Sequence, residues 1–162
     1  RRECEEAVLR LEHALPGIRA LRDVTPVGLE AERARLSPLL YRRAHHIVTE
    51  NERVHLAVAA LRAGNLPELG DLLYHSHHSL QYDYEVSCPE LDFLVDQTRA
   101  NDYVLGARMM GGGFGGSTLN LVERTQVGPF LENIGEAYRR EMGREMKSYV
   151  VEVVDGAGIE EV

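Results

Sequence analysis

The sequence predicts an α+β fold, a small antiparallel sheet covered by helices. Three observations carry that reading. Up to about residue 100, apolar side chains recur three and four apart, the period of a helix. From Tyr103 the period shortens to two, the period of a strand. Five glycines among the six residues Gly111, Gly112, Gly113, Phe114, Gly115 and Gly116 then separate two alternating runs. Helices come first and strands follow with one helix between them, which is the order of an α+β domain.

The first helix is expected from Cys4, Val8, Leu11 and Leu15, with Pro16 and Gly17 as its stop. A connector broken by Pro26, Gly28 and Pro38 leaves room for a short helix over residues 29–36. The next helix carries the longest stripe: Leu40, Ala44, Ile47, Asn51, Val54, Val58 and Leu61, ended by Gly64. Asn65 followed by Glu68 reads as a helix cap, and Leu69, Leu72, Leu73, Ser76 and Leu80 form the apolar face behind it. Ser87-Cys88-Pro89-Glu90 reads as a capping box with Pro in the first turn, where its missing N–H costs nothing. Leu91, Leu94, Val95 and Thr98 give that helix its buried side.

In the second half, Tyr103, Leu105, Ala107 and Met109 alternate with Val104, Gly106, Arg108 and Met110. Residues 117–122 alternate again. A helix follows over about residues 126–142, facing inward with Val127, Phe130, Leu131, Ile134 and Tyr138. Residues 149–154 are expected to add a strand to the same sheet. Residues 155–158 read as a turn, and residues 159–162 as a short partner strand.

Composition narrows the functional classes. The 162 residues suffice for one domain with a core, and hydrophobic residues at 44% with charged residues at 27% describe a globular chain. The net charge of −8 argues against nucleic acid and anionic membrane as partners. No apolar run reaches the ~20 residues of a membrane helix. Two cysteines, Cys4 and Cys88, are too few for a disulfide framework, so a reducing, cytoplasmic setting is expected. The chain opens on Arg1 inside an amphipathic pattern, which reads as the continuation of a longer polypeptide.

The glycine run is the most unusual segment. Gly111, Gly113 and Gly116 match G-x-G-x-x-G, but that dinucleotide fingerprint needs a helix after it, and residues 117–122 alternate like a strand. A Walker A loop fails because Ser117 stands where Lys is required. A glycine-rich hairpin remains. A wide turn needs one or two glycines; five point to a contact that requires bare backbone, and successive free N–H groups make a nest for anions.

Several other residues that suggest chemistry also have plainer roles. His75, His77 and His78 suggest a metal, but no third ligand at a standard spacing accompanies them, and a solvated helix face accounts for them; no metal site is expected. Cys88 in a first helical turn suggests a nucleophile, but the cap explains its neighbours. Asn51 within an apolar stripe reads as a buried, hydrogen-bonded amide. Asp83, Glu85, Glu90 and Asp92 resemble paired carboxylates, although capping and a solvated side account for Glu90 and Asp92.

These segments together resemble the galactokinases of the GHMP kinase superfamily. The run Gly106-Ala107-Arg108-Met109-Met110-Gly111-Gly112-Gly113-Phe114-Gly115-Gly116-Ser117-Thr118-Leu119-Asn120-Leu121-Val122 is similar to the third GHMP motif. Asp83-Tyr84-Glu85-Val86-Ser87-Cys88-Pro89-Glu90-Leu91-Asp92 resembles a second galactokinase signature, and Arg42-Arg43-Ala44-His45-His46-Ile47-Val48-Thr49-Glu50-Asn51 a third. Gly112 and Phe114 favour galactokinases over the related N-acetylgalactosamine kinases, which tend to have Ala and Trp in the loop. The sequence departs from the usual pattern at Met110, Ser117, His45 and Gln81-Tyr82.

The resemblance implies that residues 1–162 form a GHMP kinase C-terminal domain, a ferredoxin-like variant. The N-terminal catalytic domain, with its sugar-binding segment, Ser-rich phosphate loop and catalytic Asp and Arg, lies outside this sequence. The intact enzyme would transfer the γ-phosphoryl of ATP, with Mg²⁺, to the C1 hydroxyl of galactose. Gly111, Gly112, Gly113, Phe114, Gly115, Gly116 and Ser117 would be the loop near the phosphates. This chain alone would be inactive and would bind no cofactor tightly; its partner would be the N-terminal domain. Met109, Met110 and Phe114 would be exposed toward that partner. A galactokinase-like sugar and nucleotide sensor and a free-standing ferredoxin-like module are the competing readings.

Overall fold

The computed structural model describes residues 1–154, 156 and 158. Among these residues, six α-helices and two strands follow in the expected order. They are α1 (Arg2–Leu11), α2 (Pro26–Ala31), α3 (Pro38–Ala63), α4 (Leu66–Tyr82), α5 (Pro89–Thr98), β1 (Val104–Met110), β2 (Ser117–Val122) and α6 (Val127–Met142).

Local chemistry sets the helix ends. Thr25 and Ser37 accept hydrogen bonds from Gly28 N–H and Leu40 N–H, and a proline opens each of those helices. Such caps contribute about 1 kcal/mol each. Gly64 ends α3 at φ 65°, a left-handed cap that glycine adopts without strain. Asn65 accepts from Glu68 N–H while its amide donates to the Glu68 carboxylate, as the sequence suggested. Helix α1 stops at Leu11 rather than Leu15, but Leu15 still packs against the same core.

The apolar residues gather in three clusters. Ala7, Leu11, Leu21, Leu29, Leu40 and Val48 join α1, α2 and the N-terminal half of α3. Leu80, Leu91 and Met109 join α4, α5 and β1. Val104, Phe130 and Ile134 fix α6 beneath the sheet. The expected stripe on α3 is buried only in its first half. Asn51 is half-buried rather than buried, and Val54, Val58 and Leu61 are exposed.

Strands β1 and β2 pair antiparallel, from Val104 opposite Val122 to Met110 opposite Ser117, with an irregularity between Val104 and Gly106. That slip brings Val104 into the parity of Ala107 and Met109, all three buried, whereas Gly106, of the other parity, is buried where it meets Gly70. Helix α4 lies along β1. A β-carbon on Gly70 would stand 1.9 Å from Leu105 O, and one on Gly106 would stand 2.4 Å from Gly70 Cα, so backbone meets backbone at this seam.

Residues 149–154 do not join the sheet, contrary to the sequence expectation; among the described residues the sheet has two strands. The valines favour an extended chain, but a strand forms only where a neighbour takes its ladder bonds. The preceding residues run against α6, with Arg139 on Glu145 and Met146 in the third cluster. The chain thus leaves from the helical side, and Tyr149 and Val153 stand exposed. The turn and strand expected over residues 155–158 and 159–162 fall largely outside the described residues.

Candidate functional site

The glycine run is the turn of the β1–β2 hairpin, and no helix follows it, which removes the dinucleotide fingerprint. Four of its glycines take positive φ: Gly111 at 86°, Gly113 at 85°, Gly115 at 135° and Gly116 at 106°. An L side chain at such angles costs on the order of 1 kcal/mol or more. Phe114 adopts φ 59° regardless and holds its ring 77% exposed.

The glycines serve different purposes. At Gly113 a β-carbon would fall 2.1 Å from Val86 O, and Phe114 N–H donates to that same oxygen at 2.7 Å. Gly113 is therefore bare because the tip of the loop docks on residue 86. At Gly111, Gly112 and Gly115 a β-carbon would meet nothing within 4 Å. Gly112 has neither positive φ nor a close neighbour, so nothing within the chain requires glycine there. Ser117 opens β2 and is exposed. The seven residues named from the sequence thus lie together in the turn and at the start of β2, with Gly113 and Gly115 half-buried and the other five exposed. Met110 is exposed as expected, but Met109 is fully buried against Leu80 and Leu91, because it lies on the helix-facing side of β1.

The base of the hairpin rests on α4 and α5. His77 is 1% exposed, and its Nδ1 accepts the Met109 N–H at 3.2 Å. Its Nε2 lies 3.3 Å from Asp92 Oδ1, too poorly aligned for a full hydrogen bond. The same Asp92 oxygen accepts from Ser87 Oγ at 2.5 Å. The expected capping box is therefore absent. Cys88, not Ser87, occupies the N-cap without a side-chain cap bond, because the Ser87 hydroxyl is directed to Asp92. Glu90 accepts from its own amide and from the Cys88 thiol, which holds its carboxyl below the usual range.

The segment before α5 is pinned from the other side. Arg43, almost fully buried, donates to Glu3, to Asp83 O and to Glu85. Glu85 sits at φ 57° under that clamp. Beside it His46 stacks on Tyr84 at 4.5 Å and shares a 3.0 Å bond with Ser79 Oγ. Burial pushes His46 down to about 4. A second charged group joins α3, α4 and β1. Glu50 takes hydrogen bonds from Arg53 and Ser76, and Arg108 approaches to 3.7 Å. Burial raises the Glu50 pKa, yet those donors and cations hold it below the ordinary value. Arg108 Nε also donates to Met109 O, so this group touches the root of the loop.

Sequence reasoning placed His77 on a solvated face with His75 and His78. His75 and His78 are exposed, whereas His77 is a buried acceptor. A signal existed: His77 stands four residues after Leu73 and three before Leu80, on the inward side of α4. Arg108 and Arg53 were not singled out, since one arginine in a strand and one in a helix carry no spacing signal. A hollow of about 980 Å³ lies between α1 and α3, lined by Cys4, Val8, Ile18, Ile47, Asn51 and Tyr84; no loop residue lines it.

The comparisons with known proteins agree with this geometry. A family model described as GHMP kinases C terminal matches residues 57–146, more than half of the chain. A galactokinase of Roseiflexus sp. (strain RS-1) is 44% identical over 158 residues, which is 98% of this chain and 40% of that protein. One of Thermotoga maritima is 44% identical over 156 residues, 96% of this chain and 42% of that protein. The chain thus spans about two-fifths of the length of the curated relatives it matches. Among solved structures, a crystal structure of Lactococcus lactis galactokinase complexed with galactose superposes with a TM-score of 0.84 at 37% identity. That match covers 89% of this chain and 37% of the other.

Proposed function

The chain belongs to the GHMP kinases, as their C-terminal domain, and we propose that it is the C-terminal part of a galactokinase. In the intact enzyme an N-terminal domain completes a site that transfers the γ-phosphoryl of Mg-ATP to the C1 hydroxyl of galactose. This chain forms one wall of that site. Gly111, Gly112, Gly113, Phe114, Gly115, Gly116 and Ser117 lie beside the phosphates.

The single observation that carries the reading is the bare, outward-facing backbone at Gly111, Gly112 and Gly115 within a chain matched almost end to end by galactokinases. Backbone without β-carbons lets a phosphate approach the N–H groups, and consecutive amides supply partial positive charge. Among the described residues, the amides of the loop donate outside the sheet ladder only at Phe114. Phosphoryl transfer depends on positioning and charge stabilisation, so one wall gives essentially no turnover by itself.

The test is a chimera. Residues 1–158 of this chain replace the matching C-terminal region of the Thermotoga maritima galactokinase, 44% identical to it. The chimera should form galactose 1-phosphate from ATP and galactose, and this chain alone should form none above background. A folded chimera that leaves galactose untouched, or turnover by the isolated chain, would overturn the proposal.

A further inference from the structure

The two signature segments, 83–92 and 106–122, are linked at two points, directly at the tip and through His77 of α4 at the root. At the tip, Phe114 N–H donates to Val86 O and Gly113 rests on Val86. At the root, the Met109 N–H points away from β2 and would be a buried, unpaired donor without His77. An unpaired buried amide is costly, and a neutral imidazole offers one acceptor and one donor. Because Nδ1 accepts from Met109, the proton must reside on Nε2, which faces the Asp92 carboxylate. Asp92 is held in turn by the Ser87 hydroxyl. A line of polar contacts thus runs from the start of α5, through α4, to the last buried residue before the loop.

We propose that His77 is a positioning residue for the glycine loop: as the Nε2–H tautomer, oriented by Asp92, it fixes the Met109 amide and so the root from which Gly111–Gly116 projects. Burial, the largest influence, pushes the His77 ring down from its ordinary value and so favours the neutral form; of the charged groups around it, Asp92 and Asp96 on α5 favour a proton and Arg99 opposes it. On β1 the nearest charged side chain, Arg108, is engaged with Met109 O and Glu50 instead. Neutrality matters because an imidazolium has no acceptor for Met109. The role in turnover rests on the galactokinase reading; the role in holding the loop does not.

The experiment uses this chain labelled with ¹⁵N. The His77 ring should give one protonated and one unprotonated nitrogen, with Nδ1 unprotonated. His77→Leu removes the acceptor and keeps much of the volume; His77→Asn places an amide oxygen where Nδ1 stands. In the Leu variant, exchange of the Met109 amide should accelerate about tenfold or more, the worth of one buried hydrogen bond. The Gly111–Gly116 resonances should shift or broaden, and the Asn variant should restore both. A ring protonated on Nδ1, or a Leu variant with unchanged Met109 protection and loop resonances, would overturn the proposal. So would equal disturbance by Leu and Asn, which would point to packing rather than the bond. If the Leu variant does not fold, the wild-type tautomer still decides. In the chimera, His77→Leu should lower kcat with little change in KM for galactose. A chimera without activity, beside the expected ¹⁵N results, would sink the galactokinase reading and leave the positioning role standing.

Discussion

Glycine does opposite work at the α4–β1 seam and at the hairpin loop. At the seam, Gly70 and Gly106 are bare because two backbones touch, and a β-carbon on either would fall 1.9–2.4 Å from main-chain atoms. At the loop, Gly111, Gly112 and Gly115 are bare with nothing beside them. The first arrangement is explained inside the chain. In the second, positive φ already calls for glycine at Gly111 and Gly115, and Gly112 is explained only by something the chain meets. A count of glycines cannot separate these cases, but the space around each position can.

The largest effect should come from the seam. Gly106→Ala forces a β-carbon into Gly70 with no flexible side chain to yield, so urea denaturation should register a loss of about 4 kcal/mol or more, or no folded protein. A loss under about 1 kcal/mol would mean the seam is looser than drawn.

Next comes the region where His46 is buried against Tyr84 and Ser79. Its folded pKa is about 4, against an ordinary 6.5. Between those values the unfolded state binds the proton and the folded state does not, so stability is full above pH 6.5 and falls as pH drops toward 4. The loss should be on the order of 3 kcal/mol. His46→Asn should flatten this part of the stability-against-pH curve, measured by denaturant titration. An unchanged slope would show that other groups carry the acid dependence.

Gly113→Ala should fall lower on the scale. It meets positive φ and the Val86 carbonyl together, and about 1–3 kcal/mol is the expected cost. Gly113 behaves like the seam although it sits in the loop. A neutral Gly113→Ala in thermal melts would mean that the loop tip is not docked on residue 86, leaving the loop held only at its root.

Much of the fold was legible from spacing alone. The inward residues of α5 and α6 are those the period predicts, because both helices bury one continuous stripe. The hairpin was legible because alternation resumed at Ser117. The buried face of α4 was legible only in part: Ser76 and Leu80 are buried as the spacing predicts, whereas Gly70, His77 and Ser79 were not foreseen. It consists of Gly70, Ser76, His77, Ser79 and Leu80, where small and polar residues admit close backbone contact and internal hydrogen bonds. Hydrophobic periodicity is blind to such residues. Residues 149–154 failed for the opposite reason: their pattern is that of a strand, but pairing depends on a neighbour and not on the segment itself. At the site, the loop was visible as composition, whereas its anchors, Val86 and His77, lie 28 and 32 residues from Phe114 and Met109, the residues they hold, and share no motif with them.

The central claim is that the open part of the loop serves a ligand outside this chain. Gly112→Ala tests it most directly, since a β-carbon there meets no positive φ and no neighbour. Thermal and urea stability of this chain should change by no more than about 0.5 kcal/mol. In the active chimera the same substitution should reduce kcat for galactose phosphorylation about a hundredfold, because displacing a reacting phosphate by ~1 Å carries that order of penalty. Full turnover by Gly112→Ala, or a loss matched by unfolding, would contradict the claim.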